Sequence, residues 1–502
     1  MTAHSNRQVN AQHIALMIAA LVVAQLTADD RIDAATPTPF IKIVDIIPES
    51  LSGESDFNVE PDLSVNPANL LQIAASAWIP EPLGGKTTPI FISLDGGEKW
   101  SCRSTVPINA DTADKTLQFG GLLNMLYVAA GVENQAHDYD LGVFRSDRFA
   151  KRLMELMEQR PGKIDQPYVA AATIDKKDRA FVGYLYWKSE RDKKTAIIDR
   201  SLDGTGKPPA SDFMPVPIDF DDPLFDSSEI RPAISADRKK VYAVFSRVFS
   251  VDGNKRVGDV VLVRDDDGGN SPAAFTALRD PSGVPGFRVK KRRTFLFDDD
   301  GTPALLGRDR LGGDLAIAVD PRNADNVYVV WGELVDNKPA LRVMRSNKSG
   351  TEWLPILYTV TNAKNPGLAV NANGTVAFLY QEVTTDSHKR EIWKTQLVLT
   401  KDDFTNRNSL TLAEFPAAEL DCVSGQPRLG DYLSLTAMGN DFYGIFPSSN
   451  VPDRNRFPCL KSSQCQVTLQ RKADFNTRRL LDLDENEVQP SIDPFFFKVS
   501  GQ

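Results

Sequence analysis

The sequence predicts an all-β chain folded as a β-propeller of four-stranded blades, seven in number, with six as the alternative. Three observations carry that prediction. One strand–turn–strand phrase recurs along the chain. Its strands are almost continuously apolar, as expected of sheets covered on both faces. Its copies start roughly 50–80 residues apart, which suits a four-stranded blade with its loops.

The phrase is a polar or proline-containing lead, an apolar strand, a turn, and a second apolar strand often ending in an aromatic. It runs from Glu60 to Trp78 (EPDLSVNPANLLQIAASAW) and, more weakly, from Leu117 to Val132 (LQFGGLLNMLYVAAGV). It returns from Asp165 to Trp187, from Ile230 to Val248 and from Gly313 to Trp331. The last copies run from Asn365 to Val383 and from Leu429 to Phe446. Turns such as Asn66-Pro67, Asp320-Pro321 and Asn373-Gly374 mark each copy as a β-hairpin. A sheet with two apolar faces cannot fold alone, and radial packing between two others solves that problem.

A second signature lies in the outer half of the first blade. Ser93-Leu94-Asp95-Gly96-Gly97-Glu98-Lys99-Trp100 follows the apolar strand PIFI and matches S-x-D-x-G-x-x-W. Ser93 and Asp95 can bond the backbone of a tight turn, Gly97 permits positive φ, and Trp100 staples the turn to the blade. With this octet, the EPD…VNP opening and the later GDY segment, the chain resembles the bacterial sialidase-like propellers of the BNR or Asp-box kind, over residues 59–446. In that family the octet is structural. Decayed copies begin at Ser201 (SLDG), at Ser346 (SNKSGTEW) and at Ser146-Asp147, the last running into an expected helix from Arg148 to Gln159.

Residues 1–28 read as a signal peptide: Arg7 in a polar lead, an apolar run from Ile14 to Ala24, then small and acidic residues, with cleavage as late as residue 35. Residues 29–58 form a lead-in, and residues 447–502 a tail that completes the last blade. The expected location is secreted or periplasmic. No other apolar stretch approaches transmembrane length. A net charge of −9 argues against a nucleic-acid partner. The expected state is a monomer.

Of four cysteines, Cys459 and Cys465 bracket a short loop and form the simplest disulfide, leaving Cys102 and Cys422; three connectivities stay open. Four histidines (His4, His13, His137, His388) argue against a histidine metal site. No metal or other cofactor is expected, although Asp265-Asp266-Asp267-Gly268-Gly269 and Asp298-Asp299-Asp300-Gly301 leave calcium open against a solvated turn. The basic run from Arg288 to Arg293 reads as a solvated or internally paired strip.

The starts of the inner strands are charged: Glu60 and Asp62, Asp165, Glu229 and Arg231, Asp314, and Arg428 with Asp431 and Tyr432; Arg308 and Arg310 precede another. A propeller gathers such positions at one mouth of its channel. The resemblance implies a glycosidase set there: Arg231, Arg308 and Arg428 clamping a carboxylate, Tyr432 with Glu229 as nucleophile pair, and Asp62 as acid/base. The family's Arg-Ile-Pro motif has no counterpart, since the nearest segment, IKIVDIIP from Ile41, lacks arginine. The expected function is recognition of a glycan or protein ligand at the channel mouth, with Arg231, Arg308, Arg428, Asp314 and Asp431 as binding residues. The alternatives are a sialidase-type exo-glycosidase acting on acidic sugars and a structural scaffold of an envelope assembly.

Overall fold

The computed structural model describes residues 39–78, 89–104, 110–121, 124–146, 149, 155–186, 195–206, 213–220, 229–297, 306, 314–420 and 426–500. The expected signal peptide, Arg308, Arg310, Cys422 and the Asp298–Gly301 run lie outside the described residues.

Six antiparallel four-stranded sheets follow in chain order: blade 1 (residues 59–104), blade 2 (112–160), blade 3 (164–220), blade 4 (231–296), blade 5 (315–361) and blade 6 (363–416). A seventh sheet has five strands, in the order Ser434–Met438, Asp441–Ser449, Ile492–Val499, Ile41–Asp45, Cys465–Leu469. Both ends of the described chain meet in that sheet. Ile41–Asp45 pairs antiparallel with Ile492–Val499 (Ile43 opposite Phe497) and parallel with Cys465–Leu469. The Cys459–Cys465 disulfide sits at the start of the outermost strand. Cys102 has no disulfide partner among the described residues.

The first strand of each blade touches the first strands of both neighbours, and that of blade 7 closes against that of blade 1. The molecule is therefore a closed seven-bladed propeller. All seven copies of the sequence phrase fall on the inner two strands of a blade. Its core is divided into wedges between successive sheets. Between blades 4 and 5, for example, Tyr242, Val244 and Leu262 meet Val327, Val329 and Trp331. Alternate residues of one strand thus serve two different wedges, and each blade is held only by its neighbours.

The expected helix from Arg148 to Gln159 is a correction: Glu155–Arg160 is the fourth strand of blade 2. Leu156 packs into the wedge toward blade 1 and Met157 into the wedge toward blade 3. Adjacent apolar residues serving two faces of a strand imitated one helical stripe.

The Asp-box turn recurs between the third and fourth strands of blades 1, 4, 5 and 6. In blade 1, Ser93 Oγ accepts from the Gly97 N–H at 2.8 Å and Asp95 from the Lys99 N–H at 3.0 Å. Trp100 Nε1 closes the turn onto the Gly97 carbonyl at 3.2 Å. In blade 5, Ser346 accepts from Gly350 at 2.9 Å, and Trp353 donates to the Gly350 carbonyl at 3.1 Å. Two further turns share this geometry with other residues. Thr400 accepts from Phe404 (3.0 Å), Asp402 from Asn406 (2.9 Å), and Arg407 replaces the tryptophan by donating to the Phe404 carbonyl (2.8 Å). Asp265 accepts from Gly269 (2.6 Å) and Asp267 from Ser271 (3.2 Å). The acidic run from Asp265 is thus such a turn, with Asp265 and Asp267 bonded to the turn's own N–H groups and Asp266 paired with Arg264.

Candidate functional site

The first strands begin with an irregularity that sets the site. Pairing with the second strand slips between Val59 and Asp62, Thr112 and Lys115, Asp165 and Tyr168, and Lys364 and Gly367. In three blades the bulged residue has positive φ and precedes a proline: Glu60 (55°), Gln166 (45°) and Asn365 (53°). Proline pushes its predecessor toward extended backbone, so each position stores strain of about 1–3 kcal/mol. Bulges re-aim side chains, and here they turn charged and aromatic groups toward the axis.

Around the axis stand the acids Glu60, Asp62, Asp114, Asp165, Glu229, Asp314 and Asp431, and the bases Lys115, Arg231 and Lys364, while Arg293 reaches in from the fourth strand of blade 4 to Ser246 and the Gly332 carbonyl. Most are buried: Glu229 is 5% exposed, Arg231 8%, Asp314 2% and Tyr432 3%. They tie blade to blade. Asp62 accepts from the Leu117 N–H at 2.7 Å, joining blades 1 and 2. Arg231 Nε donates to the Leu315 carbonyl at 3.1 Å, and Asp314 accepts from the Asn365 N–H at 2.6 Å. Others bridge toward blade 7: Gln166 Nε2 reaches Asp431 at 3.5 Å, and the Lys115 N–H reaches the Tyr432 hydroxyl at 3.4 Å. Arg231 lies over the Tyr168 ring, 3.2 Å from its centroid, and pairs with Glu229. Tyr168 and Tyr432 meet edge to face at 5.4 Å.

Burial dominates the electrostatics. It pushes Asp62 up to about 6 against the Leu117 N–H bond, and Asp314 up to about 7 against Lys364. Glu229 rises well above the usual carboxylate range through burial and then Asp431 and Asp314. Burial lowers Lys115 to about 8 and Arg231 to about 9. Tyr432 is raised well above an ordinary phenol by burial, then by Asp114, Glu60 and Asp62.

The sequence-derived set is only partly assembled. Arg231, Glu229, Asp314, Asp431, Tyr432 and Asp62 converge on the axis. Arg428 instead stacks on the Trp78 ring at 5.4 Å. The carboxylate beside the Tyr432 hydroxyl is that of Asp114, at 3.4 Å, whereas Glu229 bonds Arg231. Sequence reading missed Asp114 and Lys115 because the blade 2 copy was recognised only from Leu117; aligning strand starts five residues upstream would have found them.

Beyond this charged end the first strands enclose a cavity of 580 Å³, to which all seven blades contribute. Leu117, Ala170, Ile234, Ile317, Leu368 and Leu435 form much of its wall, and Asp62, Tyr168 and Ser434 lie toward the charged end. At the opposite rim Pro67, Ala236, Arg238 and Pro321 are exposed, so the cavity opens where the first strands end. A second pocket, of 470 Å³, is lined by residues that include Asp386, Glu414, Arg456 and Arg478.

No protein-family model matches the chain, and no curated protein matches it. Solved structures to which it is similar include the polysaccharide lyase Uly1, at 9% identity over 86% of this chain and 88% of that one, with a TM-score of 0.43. The Hadza microbial sialidase Hz136 is 13% identical over 76% of this chain and 72% of that one, with a TM-score of 0.37. The GH74 enzyme of Niastella koreensis is 11% identical over 80% and 70%, with a TM-score of 0.35. Likenesses this distant carry no argument about ligand or chemistry. The propeller rests on its own sheet order and on the closed ring of first strands.

Proposed function

We propose that this propeller is a recognition module whose glycan or protein ligand enters the central channel, and that it is not a glycosidase. One observation carries the reading. Of the groups a sialidase-type reaction would use, Glu229, Arg231 and Tyr432 are buried and bonded within the ring, while a cavity of 580 Å³ lined by all seven first strands stands open at the other end. A nucleophilic tyrosine needs its phenol pKa lowered; that of Tyr432 is raised. A substrate-clamping arginine needs its guanidinium facing the cleft; Arg231 is 8% exposed, with NH2 on Glu229 and Nε on the Leu315 carbonyl. The cavity falls in the size range of small-ligand sites.

Export fits this reading, because the apolar segment from Ile14 to Ala24 has the make-up of a leader. Among the described residues no helix is long and apolar enough to cross a membrane.

The test pairs turnover of a fluorogenic sialoside with binding on a glycan and peptide array. Silence toward the sialoside is expected, with array binding that disappears in Ala170→Trp, a substitution that fills the channel, at unchanged melting temperature. Sialoside turnover that is lost in Tyr432→Phe would overturn the reading in favour of the glycosidase.

A further inference from the structure

We infer that the outer edge of blade 4 is a second binding surface, which takes an acidic polysaccharide along its fourth strand, Phe287–Leu296. It is separate from the channel, and neither reading depends on the other.

The other blades supply the comparison. Charges on an outermost strand often serve only to stop sheets from pairing edge to edge. This ring has no general need of a basic edge for that purpose. The outermost strands of the other six blades together carry two bases and four acids. The blade 4 strand alone carries five bases and no acid, on a chain whose net charge is −9. Arg293 turns inward to Ser246 and the Gly332 carbonyl. Arg288 and Lys290 are half-buried, and Lys291 and Arg292 are exposed.

The backbone is bent to present these cations. Pairing with the third strand slips between Gly258 and Val260 and again between Val260 and Val261. At the first slip Lys291 and Arg292 stand against the single residue Asp259, so two consecutive side chains are exposed where a regular strand alternates. Arg292 has a φ of 50°, a strained conformation for an arginine, and Asp259 Oδ1 fixes it by accepting its N–H at 2.8 Å. The same bulges break the regular edge that an added peptide strand would need. Recognition therefore falls to the side chains.

The acids of this region lie beneath the cations and are shared. Asp259, Asp280 and Glu333 are buried. Asp280 serves Arg288 at 2.8 Å and Lys291 at 3.8 Å, and Glu333 serves Arg342 at 2.6 Å and Lys290 at 3.6 Å. Arg292 has no ion pair among the described residues and lies over the Phe249 ring, 5.3 Å from its centroid. Buried, shared acids under a row of cations leave a positive field at the surface. Carboxylates or sulfates spaced along a polysaccharide suit that row of guanidinium and ammonium groups. A nucleic acid suits it less, because Phe249, the aromatic ring at this edge, is already capped by Arg292 and offers bases no free platform.

The test is calorimetric titration of the full chain with dextran sulfate and with polygalacturonate, uncharged dextran being the control. Binding of at least one acidic polymer without binding of dextran is expected, weakening as salt rises. It should be at least tenfold weaker in Lys291→Gln with Arg292→Asn, asparagine tolerating the positive φ, and weaker in Lys290→Gln with Lys291→Gln, which spares the strained residue. Lys99→Gln with Lys401→Gln removes the same charge from exposed turns of blades 1 and 6 and should leave binding unchanged. Tighter binding of dextran sulfate assigns sulfate as the group recognised, and tighter binding of polygalacturonate assigns carboxylate. No binding of either polymer, an equal loss in the Lys99 and Lys401 variant, or tighter binding of a single-stranded oligonucleotide or of polyglutamate overturns the inference. Polymer binding that is lost in Ala170→Trp and kept in Lys291→Gln with Arg292→Asn also overturns it, and leaves the channel reading standing.

Discussion

Asp314 shows what a single buried charge does in this ring. Its carboxyl is 2% exposed, accepts from the Asn365 N–H at 2.6 Å, and is held up to about 7 by burial. In the unfolded chain an aspartate titrates near 3.9. Between those values the native state holds a proton that the unfolded state has released, so this group's contribution to stability is greatest below about pH 4 and falls as pH rises through the window. Asp62, held up to about 6, acts in the same direction. Asp314→Asn keeps the acceptor for Asn365 and removes the titration. Its melting temperature relative to wild type should climb by about 2 °C or more between pH 4 and pH 7 and level off above that. A difference that stays flat across the window would mean that Lys364 and Arg293 already offset the charge. Tyr432 and Asp114 belong to the same scale: their hydrogen bond is geometric information, and no residue pattern around Leu117 carried it.

At the scale of the element, the turn between third and fourth strands was legible only where its chemistry was conservative. Ser93 and Ser346 were readable because serine, glycine and tryptophan all stand in place or nearly so. Thr400 and Asp265 were not, because the turn's first acceptor can be a threonine hydroxyl or an aspartate carboxylate as well as a serine, and an arginine can close it in place of the tryptophan. The inner hairpins were legible in every blade, though the blade 2 strand start was missed, since burial on both faces forces an apolar strand whatever the blade. Blade 1 gives a sharp test of the turn. Gly96 and Gly97 both have positive φ, at 76° and 90°. A Cβ on Gly96 would meet nothing nearer than Leu71 Cδ2 at 3.5 Å, whereas one on Gly97 would fall 2.2 Å from Phe496 Cε1 in blade 7. Alanine at either position carries the same backbone penalty, so the difference between the two variants isolates the clash. Gly97→Ala should cost about 1–3 kcal/mol more than Gly96→Ala in urea denaturation. Equal midpoints would show that Phe496 moves aside freely.

For the whole molecule, the decisive contact is the one that closes the ring. Sequence showed seven repeats and charged strand starts, yet it could not show which end of the channel is plugged, because that depends on side chains from opposite blades meeting across the axis. Closure depends equally on residues far apart in the chain. Arg471 Nε donates to Asp493 at 2.6 Å and NH2 to Glu54 at 2.7 Å, while NH1 donates to the Leu51 carbonyl at 2.8 Å. Asn58 and Asn450 bond the two oxygens of the same Asp493 at 3.0 and 2.9 Å. This knot fastens residues 51–58 to the two C-terminal strands of blade 7. Removing one partner of a buried pair leaves an uncompensated charge and costs about 3–5 kcal/mol. Arg471→Leu should therefore lower the urea midpoint strongly, and Arg471→Leu with Asp493→Asn should recover part of the loss, because the Asp493 charge is gone and that of Glu54 remains. The same variant reports how the ring opens. Each blade is held only by neighbours, so loosening the knot should strip hydrogen-exchange protection from Ile41–Asp45 and Ile492–Val499 first, while Ile164–Ile174, on the far side of the ring, keeps its protection. Uniform loss of protection in all three strands would instead mean that the seven wedges open as one cooperative unit, with closure essential to every blade.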